Sequence, residues 1–158
     1  MDFIEKLSPS SGFDTILVIM DRLSKQSIFI LTHNTITSTK LAKLFIIHVF
    51  SKHGAPSHVT SDWGSKFVSS FFRTLGKALD MKLHFTSGYH PEGNGQTKCT
   101  NQILEQYLWI YCNYQHSNLS NLLLLVEFAY NNALNMTTGV SSFFTNKGYN
   151  PNLSVHLE

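Results

Sequence analysis

The run Thr15-Ile16-Leu17-Val18-Ile19-Met20 constrains the fold more than any other stretch of this chain. A strand that faces water on one side alternates apolar and polar residues. A nearly continuous apolar run belongs to a strand covered on both faces, which needs a layer of structure above it and another below.

The neighbouring segments can supply that cover. Residues 2–5 read as a short first strand, residues 8–12 as a turn, and Ser27-Ile28-Phe29-Ile30-Leu31 as a third strand, together an antiparallel meander. Thr37 reads as the N-cap of a helix that carries Leu41, Leu44, Phe45 and residues 47–50 and stops at Gly54 and Pro56. Residues 58–62 form a short strand that finishes on Asp62. Residues 65–79 are helical, with Phe67, Phe71, Phe72, Leu75 and Leu79 on one side, and residues 82–86 alternate as a strand. A glycine-rich loop over 87–95 precedes helices over about 96–114 and 119–134, and the chain is polar and poorly patterned from Val140 on. The order βββαβαβαα predicts an α/β fold over 1–158 as one domain: a five-stranded mixed sheet, its first strand short, flanked by helices.

Composition excludes several alternatives. With 42% hydrophobic and only 14% charged residues, against roughly 25% charged in ordinary globular chains, the sequence is not that of a disordered protein. Its longest apolar runs fall far short of the ~20 residues of a membrane helix, and residues 1–10 carry no apolar signal region. Cys99 and Cys112 fall on different faces of one helix, about 20 Å apart along its axis, too far for a disulfide. Reduced thiols and an intracellular compartment are therefore expected. His48, His53 and His58 recur every five residues, but Gly54 and Pro56 break any shared helix, which argues against structural zinc. The net charge of +2 does not announce nucleic-acid binding, and the basic residues are Lys except for Arg22 and Arg73. A sequence-specific DNA reader favours Arg.

Two acids stand out by position: Asp2 in the first strand and Asp62 at the end of the fourth. Sites in open α/β sheets form at strand ends. Converging carboxylates there can bind magnesium or manganese, which polarises a phosphoryl oxygen and activates a water or hydroxyl. Taken alone, two strand-end Asp are more often caps or turn formers than metal ligands.

The residues around these acids carry a resemblance. Met1-Asp2-Phe3-Ile4, Asp14-Thr15-Ile16-Leu17-Val18 with Asp21-Arg22, and Ser61-Asp62 with Gly64 and Phe67 come first. Tyr89-His90-Pro91, Gly95-Gln96-Thr97, and Asn101 with Leu104-Glu105-Gln106-Tyr107-Leu108 follow in order. Glu127-Phe128-Ala129-Tyr130-Asn131, Gly139 and Phe143-Phe144 complete the set. In these stretches the chain resembles the catalytic core of integrases from gypsy-type LTR retrotransposons, within the retroviral integrase superfamily.

The resemblance implies an RNase H-like fold and integration of element DNA into target DNA by metal-dependent strand transfer. It also implies Mg2+ or Mn2+ as cofactor, DNA partners (element ends and target), a homodimer and a nuclear place of work. In the family, the catalytic acids are two Asp followed by a Glu with 35 residues between it and the second Asp. Asp2 and Asp62 match the first two, as catalytic residues and metal ligands. The third position holds Lys98, with Gln96 before it and Asn101 after it holding the register.

A cation where an anion belongs reverses two units of charge at coordination distance, several kcal/mol at ~4 Å even at an effective dielectric of about 20. The expectation is a chemically impaired core, its Lys98 ammonium paired with Asp2 and Asp62, with weak or absent metal binding. The alternative is a non-enzymatic module adopted by a host for nucleic-acid or protein interaction. Glu105, two turns along the same helix, and Glu92, in the loop, are the acids nearest to the missing one.

Nucleic-acid contacts are expected of Trp63, Lys66, His90, Gln96 and Lys98. Trp63 stands where the family usually has Arg and reads either as a base-stacking aromatic or as a packed residue. Lys66, Lys82 and Lys98 read either as a phosphate-binding face or as scattered surface lysines. Leu122-Leu123-Leu124-Leu125-Val126, with Trp109, makes a helix apolar nearly all round, and self-association is expected from it.

Overall fold

The computed structural model of the chain describes residues 1–62, 68–86, 95–111 and 119–152. Strands β1 (Asp2–Ile4), β2 (Thr15–Met20) and β3 (Ser27–Thr32) form an antiparallel sheet in that order. Helix α1 (Ser38–Phe45) is capped by the Thr37 hydroxyl, which accepts from the Lys40 N–H. It runs on through a π-helical turn (Ile46–Phe50) and Ser51–His53 to Gly54, whose φ of 80° ends it at low cost. Strand β4 (His58–Asp62) and, after α2 (Ser70–Ala78), strand β5 (Lys82–Thr86) pair in parallel. Helices α3 (Gly95–Tyr111), α4 (Leu119–Asn132) and α5 (Ser142–Lys147) follow.

Strand β2 is covered on both faces, as its sequence requires: Ile16, Leu17 and Val18 have no exposed surface. Leu17 and Ile19 join Leu41 and Phe45 of α1 and Phe72 of α2 in one apolar cluster. Phe45 and Phe72 meet edge to face, with centroids 5.9 Å apart. Ile16 and Val18 join Leu104 of α3 and Leu119, Leu123 and Val126 of α4 on the other side. The result is an α/β/α sandwich.

The expected single five-stranded mixed sheet is not what forms. The strands make one sheet of three and one of two. Strand β1 is only three residues long, and all three pair with β2. On its other side the backbone nitrogen of Met1 donates to the Thr60 carbonyl of β4 at 2.7 Å. This hydrogen bond lies at the seam between the two sheets.

The outer edge of β3 is closed by side chains. Asn131 of α4 donates from Nδ2 to the Ser27 carbonyl and accepts the Ser27 N–H at Oδ1, both at 2.8 Å. One turn earlier, Glu127 accepts the Phe29 N–H at 2.7 Å. Burial pushes the Glu127 carboxyl above its ordinary pKa, against the opposing pull of that N–H. Tyr130, between them, packs its ring edge on Phe29. The polar residues of α4 thus act as a further strand for β3, whose exposed edge would otherwise invite pairing with another chain.

The segment after Val140, unpatterned in sequence, contains α5. Ser141 caps it by accepting the Phe144 N–H at 2.9 Å, and Phe143 is buried against Phe128 of α4.

Candidate active site

Asp2 is half-buried at the start of β1. Its Oδ1 accepts the Phe3 N–H at 2.9 Å, and its Oδ2 accepts from Asn101 Nδ2 at 3.0 Å. Asn101 lies on the face of α3 that packs on β1 and β2 and is 9% exposed. Its Oδ1 is buried with no hydrogen-bond partner among the described residues. Next to it, the Thr100 hydroxyl contacts Tyr130 Oη at 3.1 Å and Met20 Sδ at 3.2 Å. These contacts fix the rotation and height of α3 against the sheet.

Lys98 precedes Asn101 by three residues, one turn away on the same side of the helix, where Cβ atoms lie about 5–6 Å apart. Its side chain is exposed. Asp62 ends β4, in register with Thr86 of β5. Across the seam, Met1 N bonds the Thr60 carbonyl, two residues before Asp62. The Asn101–Asp2 bond places the start of α3, with Lys98, beside Asp2; the Asp62 side chain is not among those described.

The other expected contacts divide. Trp63, Lys66, His90 and Glu92 lie outside the described residues, and Gln96 is described only as backbone in the first turn of α3. Lys82 is exposed but opens β5, opposite His58. That is four residues, about 13 Å, from the end of the strand pair where Asp62 and Thr86 lie. Glu105 is exposed two turns beyond Lys98 and supplies no replacement for the missing carboxylate. Cys99 is a free, exposed thiol, and Cys112 lies outside the described residues.

Three residues in the matching stretches have structural roles that spacing did not reveal. Asp14 accepts from the Asn34 N–H at 2.7 Å and the Thr15 hydroxyl at 3.0 Å, and the first of these leads in lowering its pKa. Asp21 closes the turn between β2 and β3 by accepting the Ser24 N–H and hydroxyl. Burial works to raise its pKa, but these bonds outweigh it and the value is lowered. Asn101, quoted only as a register mark, is the residue that holds Asp2.

A two-ion carboxylate site takes a third acid beside two aspartates; at position 98, near the start of α3, the sequence has Lys98. Among the described residues no three His, Cys, Asp or Glu side chains form a group that could hold a metal ion.

Comparison with known proteins gives this geometry its context. No family model matches the chain. The Tf2-3 and Tf2-4 transposon polyproteins of Schizosaccharomyces pombe are each 31% identical to it over 154 residues, 98% of this chain. The chain spans 12% of the length of these curated relatives. Its fold matches the HTLV-2 integrase catalytic core solved with magnesium in a trimeric form (TM-score 0.66, 19% identity, 90% of this chain and 91% of that one). It also matches a chain of the simian T-cell lymphotropic virus intasome in complex with the PP2A regulatory subunit B56 gamma (TM-score 0.75, 19% identity, 99% of this chain and 56% of that one). The chain is a relative of the Tf2 transposon polyproteins and shares its fold with retroviral integrase catalytic cores. It carries the RNase H-like α/β/α arrangement of those cores. Among its described residues no helix is long and apolar enough to cross a membrane.

Proposed function

We propose that this chain is an integrase core built for joining element DNA to target DNA, in which strand transfer has been disabled at the third acidic position. The observation that carries this reading is the Asn101–Asp2 hydrogen bond. It fixes α3 so that residue 98 stands one turn from the group holding the first aspartate. A glutamate there would add a third negative ligand; Lys98 adds a positive charge instead. In related cores divalent ions would be held by the three carboxylates and would polarise the phosphate under attack. Here position 98 carries a cation, which on this reading would compete for the space of an ion and offset the charge that attracts metal. No step of the reaction is assigned to a bound ion in this chain.

What this chain retains is the scaffold and a surface for DNA, with Trp63, Lys66, His90, Gln96 and Lys98 as its contacts and a nuclear place of work. An HTLV-2 core of this fold has been solved as dimer and as trimer, and a homodimer is proposed here. Leu123 and Val126 of α4 point into the core, while Leu124 and Leu125 are 70% and 65% exposed, an apolar surface that a second copy would cover.

The test is a strand-transfer gel with pre-processed element ends and magnesium. The chain gives no joined product, and Lys98→Glu gives some. Clear product from the unaltered chain contradicts the reading.

A further inference from the structure

The two faces of the β4–β5 pair are covered unequally. Val59 of β4 and Leu83 and Phe85 of β5 pack in the apolar cluster that holds Phe45 of α1 and Phe72 of α2. Side chains alternate along a strand, so His58, Thr60, Lys82 and His84 face the other way, to the side on which Asn101 of α3 meets Asp2. On that side α3 packs on β1 and β2, and α4 packs on β3. Among the described residues, the apolar cluster under these two helices takes its strand residues from β1, β2 and β3. His58, Lys82 and His84 are exposed and Thr60 is half-buried. The pair β4–β5 thus presents an open shelf of sheet beside the helices.

The shelf combines two chemistries. The His58 and His84 rings lie diagonally across the two strands as a stacked pair, with centroids 5.5 Å apart and planes 18° apart. His58 Nδ1 is hydrogen-bonded to the Ser57 hydroxyl at 3.0 Å, which orients that ring. Lys82 lies directly opposite His58 on the neighbouring strand and places a cation beside the rings. Among the described side chains of β4 and β5 there is no acid. Asp80 is exposed two residues before Lys82, beyond one end of the shelf, and Asp62 ends β4 at the other, about 13 Å along. A cation beside exposed flat rings meets both needs of a nucleic-acid strand with unpaired bases, a partner for phosphate and a surface for a base. An acidic peptide would use the cation and leave the rings idle, and a paired duplex has its bases already stacked.

We propose that this shelf binds a single strand of nucleic acid, with one base stacked on the His58–His84 pair and an adjoining phosphate on Lys82. The strand runs along β4 and β5 toward the end where Asp62 lies. The proposal rests on the reading of the chain as a core that handles DNA, and adds to it the form of the strand and the residues that hold it. It does not depend on the effect of Lys98 on metal binding.

The probe is a fluorescein-labelled oligothymidylate of about ten nucleotides, titrated with the chain at low salt and read by fluorescence anisotropy. Saturable binding is expected. His58→Thr and His84→Thr keep the strand preference of their positions and should each weaken binding at least fivefold, the lower end of what a stacked base contributes. His84→Phe keeps a ring and should stay within about twofold of the parent. Lys82→Gln should lower the slope of log K against log salt by about 0.7, the loss of one phosphate contact. Binding that none of these variants moves, but that Lys66→Ala combined with Lys98→Ala abolishes, overturns this proposal and leaves the DNA surface proposed above standing. No binding to the unaltered chain overturns both. An oligoglutamate of equal charge that binds as tightly as the oligonucleotide also overturns the proposal, since the shelf then reads charge alone.

Discussion

The carboxamide of Asn101 donates to Asp2 Oδ2 at 3.0 Å, while its own Oδ1 is buried with no hydrogen-bond partner among the described residues. A hydrogen bond to a charged group is worth about 1.5–3 kcal/mol, and a buried unpaired acceptor returns part of that. Asn101→Ala is therefore expected to cost about 1 kcal/mol. Asn101→Asp should cost more at pH 8 than at pH 5, because two adjoining carboxylates raise each other's pKa and the strain is relieved on protonation. Urea titrations of both variants at the two pH values check this; an Asn101→Asp penalty that is the same at both would place Asp2 out of reach of residue 101.

Asn131 satisfies two buried backbone groups of Ser27 at once. Asn131→Ala leaves an N–H and a C=O unpaired, at about 1–3 kcal/mol each, so a loss of about 2–4 kcal/mol is expected. Asn131→Asp keeps the acceptor but turns a carboxylate on the Ser27 carbonyl, and should be no better. Thermal or urea unfolding decides; a loss under 1 kcal/mol for the alanine variant would mean that the edge of β3 is closed by something else.

Glu127 lies in the same edge with its pKa raised by burial. A carboxyl with a raised folded pKa stabilises fully below its unfolded value, and that contribution fades as pH rises through the folded value. Glu127→Gln keeps the acceptor for the Phe29 N–H and removes the buried charge. The variant is expected to be at least as stable as the parent at pH 7, with the advantage shrinking as pH falls toward the ordinary glutamate range near about 4.3. Unfolding curves across pH 4–8 check it, and a variant that loses stability at pH 7 and regains it on acidification would reverse the sign.

Much of this architecture can be read from sequence, because the signals are local. The apolar run of β2 demands two covering layers, Thr37 is a cap by residue type, and the spacing of Leu41 and Phe45 marks a buried face. The split of the sheet is not local: it depends on how far β1 reaches along β4, which no periodicity encodes. Helix α5 was hidden because six residues with one buried Phe give no period to detect; Ser141, three residues before Phe144, was the available sign. At the site, the positions of Asp2, Asp62 and Lys98 came from matching stretches. The role of Asn101 depends on which face of α3 meets β1, and the roles of Glu127 and Asn131 depend on where the edge of β3 lies. Sequence likewise does not show that Lys82 opens β5 at the far end from Asp62.

The central claim is that Lys98 blocks metal binding at Asp2 and Asp62, and thermal melting with and without millimolar manganese tests it directly. On the proposed reading Lys98→Glu completes a three-carboxylate site, and a cation that binds only the folded state adds about 2.7 kcal/mol at a hundredfold excess over Kd. The account predicts that manganese raises the Tm of Lys98→Glu and leaves that of the unaltered chain in place. Equal shifts in both proteins, or a shift in neither, would contradict it.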